Sequence, residues 1–295
     1  MLNRYWPGRA LPGGSPRVHL TPCLRLVCCS MAVAALGIDG SSRAYAQFPP
    51  PARPPKMATE LKTPEKSAAP AELPTARAIL DKHVAAIGGR EAILSHSSTY
   101  AKGTLSMPSA GITGTLEVYG AKPNRTLVKS SIPGVGQLVE GFDGARAWSI
   151  SPMTGPMILE GAQLEDKRFD SDFYSELRSA DRYSSMTTLE QTDFEGRPCY
   201  KVRLVRKTGR EDIEFYDVAT GLKAGSITNR ETPMGAMTVT TVEQDYRRFG
   251  NLLVPTMVSA QLAGVKQVIT ITSIEFDNVA ASVFEPPAEI KALLK

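Results

Sequence analysis

Tyr200-Lys201-Val202-Arg203-Leu204-Val205 alternates apolar and basic side chains, Thr208-Gly209 turns the chain, and Ile213-Glu214-Phe215-Tyr216 takes the alternation up again. A period of two sends successive side chains to opposite faces of a strand, so this segment reads as a β-hairpin. The same texture extends in both directions. Upstream lie Thr99–Leu105, Gly114–Tyr119, Thr126–Lys129, Gln137–Phe142 and, after the tight-turn pair Asp143-Gly144, Ala147–Ile150. Downstream, Ala219-Thr220-Gly221 leads to Leu222 and Ile227, followed by Met237–Tyr246, Val254–Leu262 and Gln267–Phe276. Short turns between strands predict an antiparallel meander of roughly ten to twelve strands in one sheet.

A sheet of that span with one apolar face has to curl. Two helical stretches are available to cover its concave side. Thr75 can cap the first, which carries Ala78, Ile79, Ala86 and Ile87 and stops at Gly88-Gly89, with a further turn over Arg90–Leu94. The second, 162–179, contains neither Gly nor Pro and spaces Leu164, Phe169, Phe173, Tyr174 and Leu177 among charges, as an amphipathic helix or two short ones. Two modest helices against so large a sheet leave either an apolar cavity or a barrel filled by its own side chains. The fold class is therefore mainly β, of the α+β kind.

The first residues have a different character. Arg4, Arg9 and Arg17 precede an apolar run from Cys23 through Met31-Ala32-Val33-Ala34-Ala35-Leu36, which ends in Ala44-Tyr45-Ala46. A positive leader, a short apolar centre and a small-x-small end predict a secretory signal peptide over 1–46. Of the 295 residues, cleavage after Ala46 would leave 249. The five arginines and one aspartate of the leader carry the whole formal charge of +4, so the remainder is neutral and offers no basic footprint for nucleic acid. Residues 47–75, with Phe48-Pro49-Pro50-Pro51 and Pro54-Pro55, read as a Pro-rich linker, and 76–295 as the folded domain.

Chemistry-bearing patterns are sparse. Past residue 46 there are two histidines, His83 and His96, expected to be solvated, and one cysteine, Cys199, expected to be a small buried residue. Glu165-Asp166 and Glu211-Asp212 are adjacent in sequence and read as solvated charges, although an acid pair assembled across strands would suit a hydrolase. No Gly-x-Ser-x-Gly elbow, His-Glu-x-x-His pair or phosphate loop occurs, so no enzyme activity, cofactor or metal is expected. Two loops carry methionine pairs, Met153 with Met157 and Met234 with Met237. They read either as a pliable rim for apolar ligands or as gap-fillers beneath loops.

Lys122-Pro123-Asn124, then Asp143-Gly144, Trp148 and Pro152, and at the far end Val283-Phe284-Glu285-Pro286-Pro287, occur in an order that resembles the LolA family of periplasmic lipoprotein carriers. Asp217–Leu222 and Phe249-Gly250 to Pro255 are similar to turns of that family. The resemblance implies an open half-barrel with a helical lid, shielding acyl chains in the periplasm, with a lipid, an acylated lipoprotein or an envelope protein as partner. It also places Lys122 where the family has an arginine tied to cargo transfer, and lysine lacks arginine's planar fork. On the bottom-up reading, cavity walls are expected from Leu116, Val118, Leu127, Leu138, Phe142, Trp148 and Ile150, with Phe173 on the lid. An envelope interaction or sensor domain without cargo is the other function class.

Overall fold

The computed structural model describes residues 72–178, 180–232, 235–262 and 264–294. Helix α1 (Ala76–Ala86) begins where Thr75 Oγ1 accepts the Ala78 N–H at 3.3 Å, the expected cap. Its buried residues, Ala76, Ile79, Leu80 and His83, follow the i, i+3, i+4, i+7 pattern of one face. Gly88 stops it with φ +132°, and a Cβ there would lie 2.5 Å from the Asn251 carbonyl oxygen. Only glycine allows that approach, which seats the junction with α2 (Arg90–Leu94) on the sheet.

The sheet has thirteen strands, against the roughly ten to twelve expected. They are β1 (Ser98–Met107), β2 (Ile112–Ala121), β3 (Arg125–Ile132), β4 (Gly136–Phe142), β5 (Ala147–Ser151), β6 (Gly155–Leu159), β7 (Tyr183–Phe194), β8 (Arg197–Arg206), β9 (Glu211–Asp217), β10 (Lys223–Thr232), β11 (Gly235–Phe249), β12 (Leu252–Leu262) and β13 (Val265–Phe276). The two strands that alternation does not reveal are β6 and β7. Both are edges of the sheet and neither has a fully buried face, so neither carries a clean period of two.

The order runs β6-β5-β4-β3-β2-β1-β13-β12-β11-β10-β9-β8-β7. Two meandering wings meet where β1 pairs with β13, and β6 and β7 are the free edges. The inner face carries the main core, in which Leu105, Leu116, Val118, Val128, Val258, Ile269 and Ile271 gather beneath Ile93 of α2. One cluster drawing on so many strands requires the sheet to curve around it. On the outer face, residues 277–294, including α4 (Ala288–Leu293), lay Phe284 and Ile290 over Ala121, Leu127 and Trp148.

Residues 160–182 connect the two free edges and form a cover across the inner face. The helix expected over 162–179 is shorter. Helix α3 (Gly161–Asp170) ends where Asp172 Oδ1 accepts the Tyr174 N–H at 3.0 Å, and short 3-10 turns follow at Ser175–Leu177 and Ala180–Arg182. No helix among the described residues is long and apolar enough to cross a membrane. The expected leader and nearly all of the Pro-rich linker lie outside the described residues.

Candidate functional site

Beneath the cover, against β9 to β12, lies a cavity of about 90 Å³. Ile87, Phe169, Val254 and Val258 form its apolar wall, while Asp170, Glu214, Lys223, Arg230 and Glu243 contribute charge. The hollow is present, as one of the two alternatives had it, but charged groups share its apolar lining. The reason is an inversion on β9, where the residues facing the cover are Asp212, Glu214 and Tyr216, in register with Leu204, Val202 and Tyr200. Ile213 and Phe215 turn outward, and Phe215 stacks on Phe194 with ring centroids 4.0 Å apart.

Charge can be buried here because these groups meet counter-ions. Arg206 forks onto Asp212, with Nε to Oδ2 at 2.7 Å and Nη2 to Oδ1 at 3.0 Å. Its guanidinium lies 3.9 Å from the Phe169 ring centroid, and Arg182 covers the same ring at 4.0 Å. Asp166 accepts from Arg206 at 3.3 Å and also from Arg210. Asp170 Oδ2 meets Arg230 Nη1 at 2.5 Å. Lys223 pairs with Glu243, and Tyr246 Oη stands 2.9 Å from Glu243 Oε2. Arg178, in the left-handed region at φ 47°, reaches Glu214 at 3.3 Å and Glu176 at 3.5 Å.

His83 belongs to this network, so the expectation of a solvated ring is corrected. It is buried, with Nδ1 3.2 Å from the Gly221 carbonyl oxygen and Nε2 3.1 Å from Glu176 Oε2. A carbonyl only accepts, so Nδ1 donates to Gly221. His96 is buried as well, with Nδ1 2.7 Å from Asp277 Oδ2. Of the acid pairs read as solvated, Asp212 turns inward on β9, where adjacent side chains face opposite ways, and Asp166 reaches Arg206 from helix α3. Burial alone would raise the Asp170 carboxyl, but the Arg230 and Arg206 guanidiniums outweigh it and hold the pKa below the ordinary aspartate range. Burial pushes the Cys199 thiol up to about 11, in keeping with an inert core residue. Among the described residues no cluster of His, Cys, Asp and Glu is arranged to hold a metal ion.

The residues singled out from the sequence fall into separate places. Leu116, Val118 and Leu138 sit in the inner core, and Phe142 is buried on the same face of β4. Leu127, Trp148 and Ile150 face the other way, against Phe284 and Ile290. Phe173 is buried in the cover, and its N–H donates to the Pro123 carbonyl oxygen at 3.0 Å. That bond brings the cover to the turn bearing Lys122, which is exposed. Met153 and Met157 are exposed near the β5–β6 turn, Met237 packs on the inner core, and Met234 lies outside the described residues. None of these expected ligand-binding residues, where described, lines the charged cavity. Its own residues had one signal in the sequence, a strand in which Asp212, Glu214 and Tyr216 share a face, but no local pattern tells that this face points inward.

No protein-family model and no curated protein matches the chain. Solved structures do. A LolA superfamily protein from Nitrosomonas europaea superposes with a TM-score of 0.50 at 14% identity, over 72% of this chain and 99% of its own. A DUF1329 family protein from Desulfovibrio piger does so with a TM-score of 0.51 at 13% identity, over 71% and 97%. At such identities the likeness is one of fold. The protein is a curved antiparallel half-barrel with a cover across its concave face; the fold is LolA-like.

Proposed function

We propose that the protein is an exported binding or carrier protein that holds a lipid, or the acyl chains of a lipoprotein, between the sheet and the 160–182 cover. It would work in the periplasm, and the reading is one of binding rather than catalysis. The observation that carries it is how the cover is attached. Helix α3 is tied to one wing by Lys167 Nζ, 3.2 Å from Glu140 Oε2 on β4, and to the other by Asp170 on Arg230 of β10. Buried ion pairs can trade their partners for water when the cover lifts, at a cost that their burial sets.

Size sets what such a protein has to do. The cavity of about 90 Å³ is smaller than the roughly 300–1,000 Å³ of common ligand sites, so an acyl chain requires the cover to lift. A chain of about ten methylenes supplies roughly 8 kcal/mol gross, at about 0.8 kcal/mol each, against opening and ordering costs. Native mass spectrometry after gentle purification tests the reading. Co-purified or added lipid should appear as a stoichiometric adduct; a protein that neither carries nor takes up a lipid contradicts it.

A further inference from the structure

Gln267 is out of place. On the inner face, β12 and β13 pair Val258 with Ile269, Ala260 with Gln267 and Leu262 with Val265, so the amide is the one polar side chain among six. It is 2% exposed, and neither Nε2 nor Oε1 has a hydrogen-bond partner. A buried primary amide can make several hydrogen bonds, and leaving all of them unmade is costly enough that such groups are rare in native proteins. Where a chain keeps one, function is the usual reason.

Its position connects it to the cavity. Ser226, Thr241, Ala260 and Gln267 follow one another across β10, β11, β12 and β13 in register, and Ser226 and Thr241 line the cavity. At about 4.8 Å per strand, Gln267 lies roughly 10 Å from Thr241. Ala260, the smallest side chain in the row, stands between them. Thr228, another cavity residue, also has a buried hydroxyl without a partner. The inner face thus sets one alanine between the cavity residue Thr241 and the solitary amide.

We propose that Gln267 is the polar anchor for the linkage of an acyl ligand, its Nε2 donating to an ester or amide carbonyl and its Oε1 accepting from a neighbouring hydroxyl or N–H. This rests on the acyl-binding reading above and narrows it. The ligands taken are acyl compounds with a carbonyl near the head, in preference to ether-linked or plain hydrocarbon chains. A site that matches a carbonyl discriminates against the analogue lacking it, since its own buried donor is then left unpaired.

The test is a titration by native mass spectrometry of the delipidated protein with a monoacylglycerol and with the ether-linked alkylglycerol of the same chain length. The wild type is expected to prefer the ester about tenfold. Q267M and Q267L, which keep the volume and remove the unpaired amide, are expected to bind both lipids with equal affinity and to melt no lower than the wild type. Equal affinity of the wild type for ester and ether overturns the proposal, as a water bridging the amide would predict. A preference that survives in both variants also overturns it, as does a large fall in melting temperature, which would make the amide structural. A wild type that binds neither lipid removes the carrier reading itself, an outcome distinct from binding without preference.

Discussion

Lys167 and Asp170 lie one turn apart on α3 and hold opposite wings of the sheet, Lys167 through Glu140 on β4 and Asp170 through Arg230 on β10. The cover is thus a brace between the wings as well as a roof. Releasing either end frees that wing without cutting the chain, because residues 160–182 stay anchored to β6 and β7.

Asp170→Asn is expected to loosen the cover and speed lipid exchange. Removing one partner of a buried pair costs about 3–5 kcal/mol in general. The cost here should fall below that range, because Asp166 remains 3.8 Å from Arg230. Denaturant midpoints and lipid off-rates check both parts; an unchanged off-rate in a folded variant removes the brace from the mechanism.

The same pair predicts an acid limit. The Asp170 carboxyl is held below its ordinary value, so its contribution is complete at neutral pH and is lost as pH falls below about 4, through the lowered folded-state pKa. Asp277, also held low, adds to the same slope. Burial raises it, and the hydrogen bonds from His96 and Ser97 more than compensate. Stability measured from pH 7 to 3 should decline at the acid end, less steeply in Asp170→Asn.

The outer face should be separable from binding. Phe284 is fully buried against the cluster containing Leu127 and Trp148. Phe284→Ala is expected to cost about 3–5 kcal/mol of stability while leaving lipid affinity unchanged. Gly141→Ala should destabilise by about 1–3 kcal/mol or more, because a Cβ there would lie 2.3 Å from the Trp148 ring. Loss of lipid affinity in a still-folded Phe284→Ala would bring Leu127, Trp148 and Ile150 back into the ligand site.

Lys122 is exposed, so Lys122→Ala should change stability by less than about 0.5 kcal/mol. A role in handing over cargo would show as slower transfer of bound lipid to acceptor vesicles at unchanged affinity. An unchanged transfer rate takes Lys122 out of the mechanism.

The strands of both wings were legible because burial of one face writes a period of two, as in Tyr200–Val205, and α1 was legible from Thr75 and Gly88. The edge strands were not, having no buried face to write it. The charged cavity was hidden for a different reason. His83 and Glu176 are 93 residues apart and Arg178 and Glu214 36 apart, so nothing local distinguishes these groups from solvated ones. Asp212 illustrates the limit: alternation correctly separates it from Glu211, but which of the two goes inside depends on Arg206 across the hairpin.

The seam between β1 and β13 has a consequence for biogenesis. Every other strand pairing joins neighbours along the polypeptide, whereas this one unites the earliest strand with the last. Until β13 has been synthesised, β1 remains an open ribbon edge and the two wings cannot lock together. A chain built this way reaches its finished state only after its last strand has emerged.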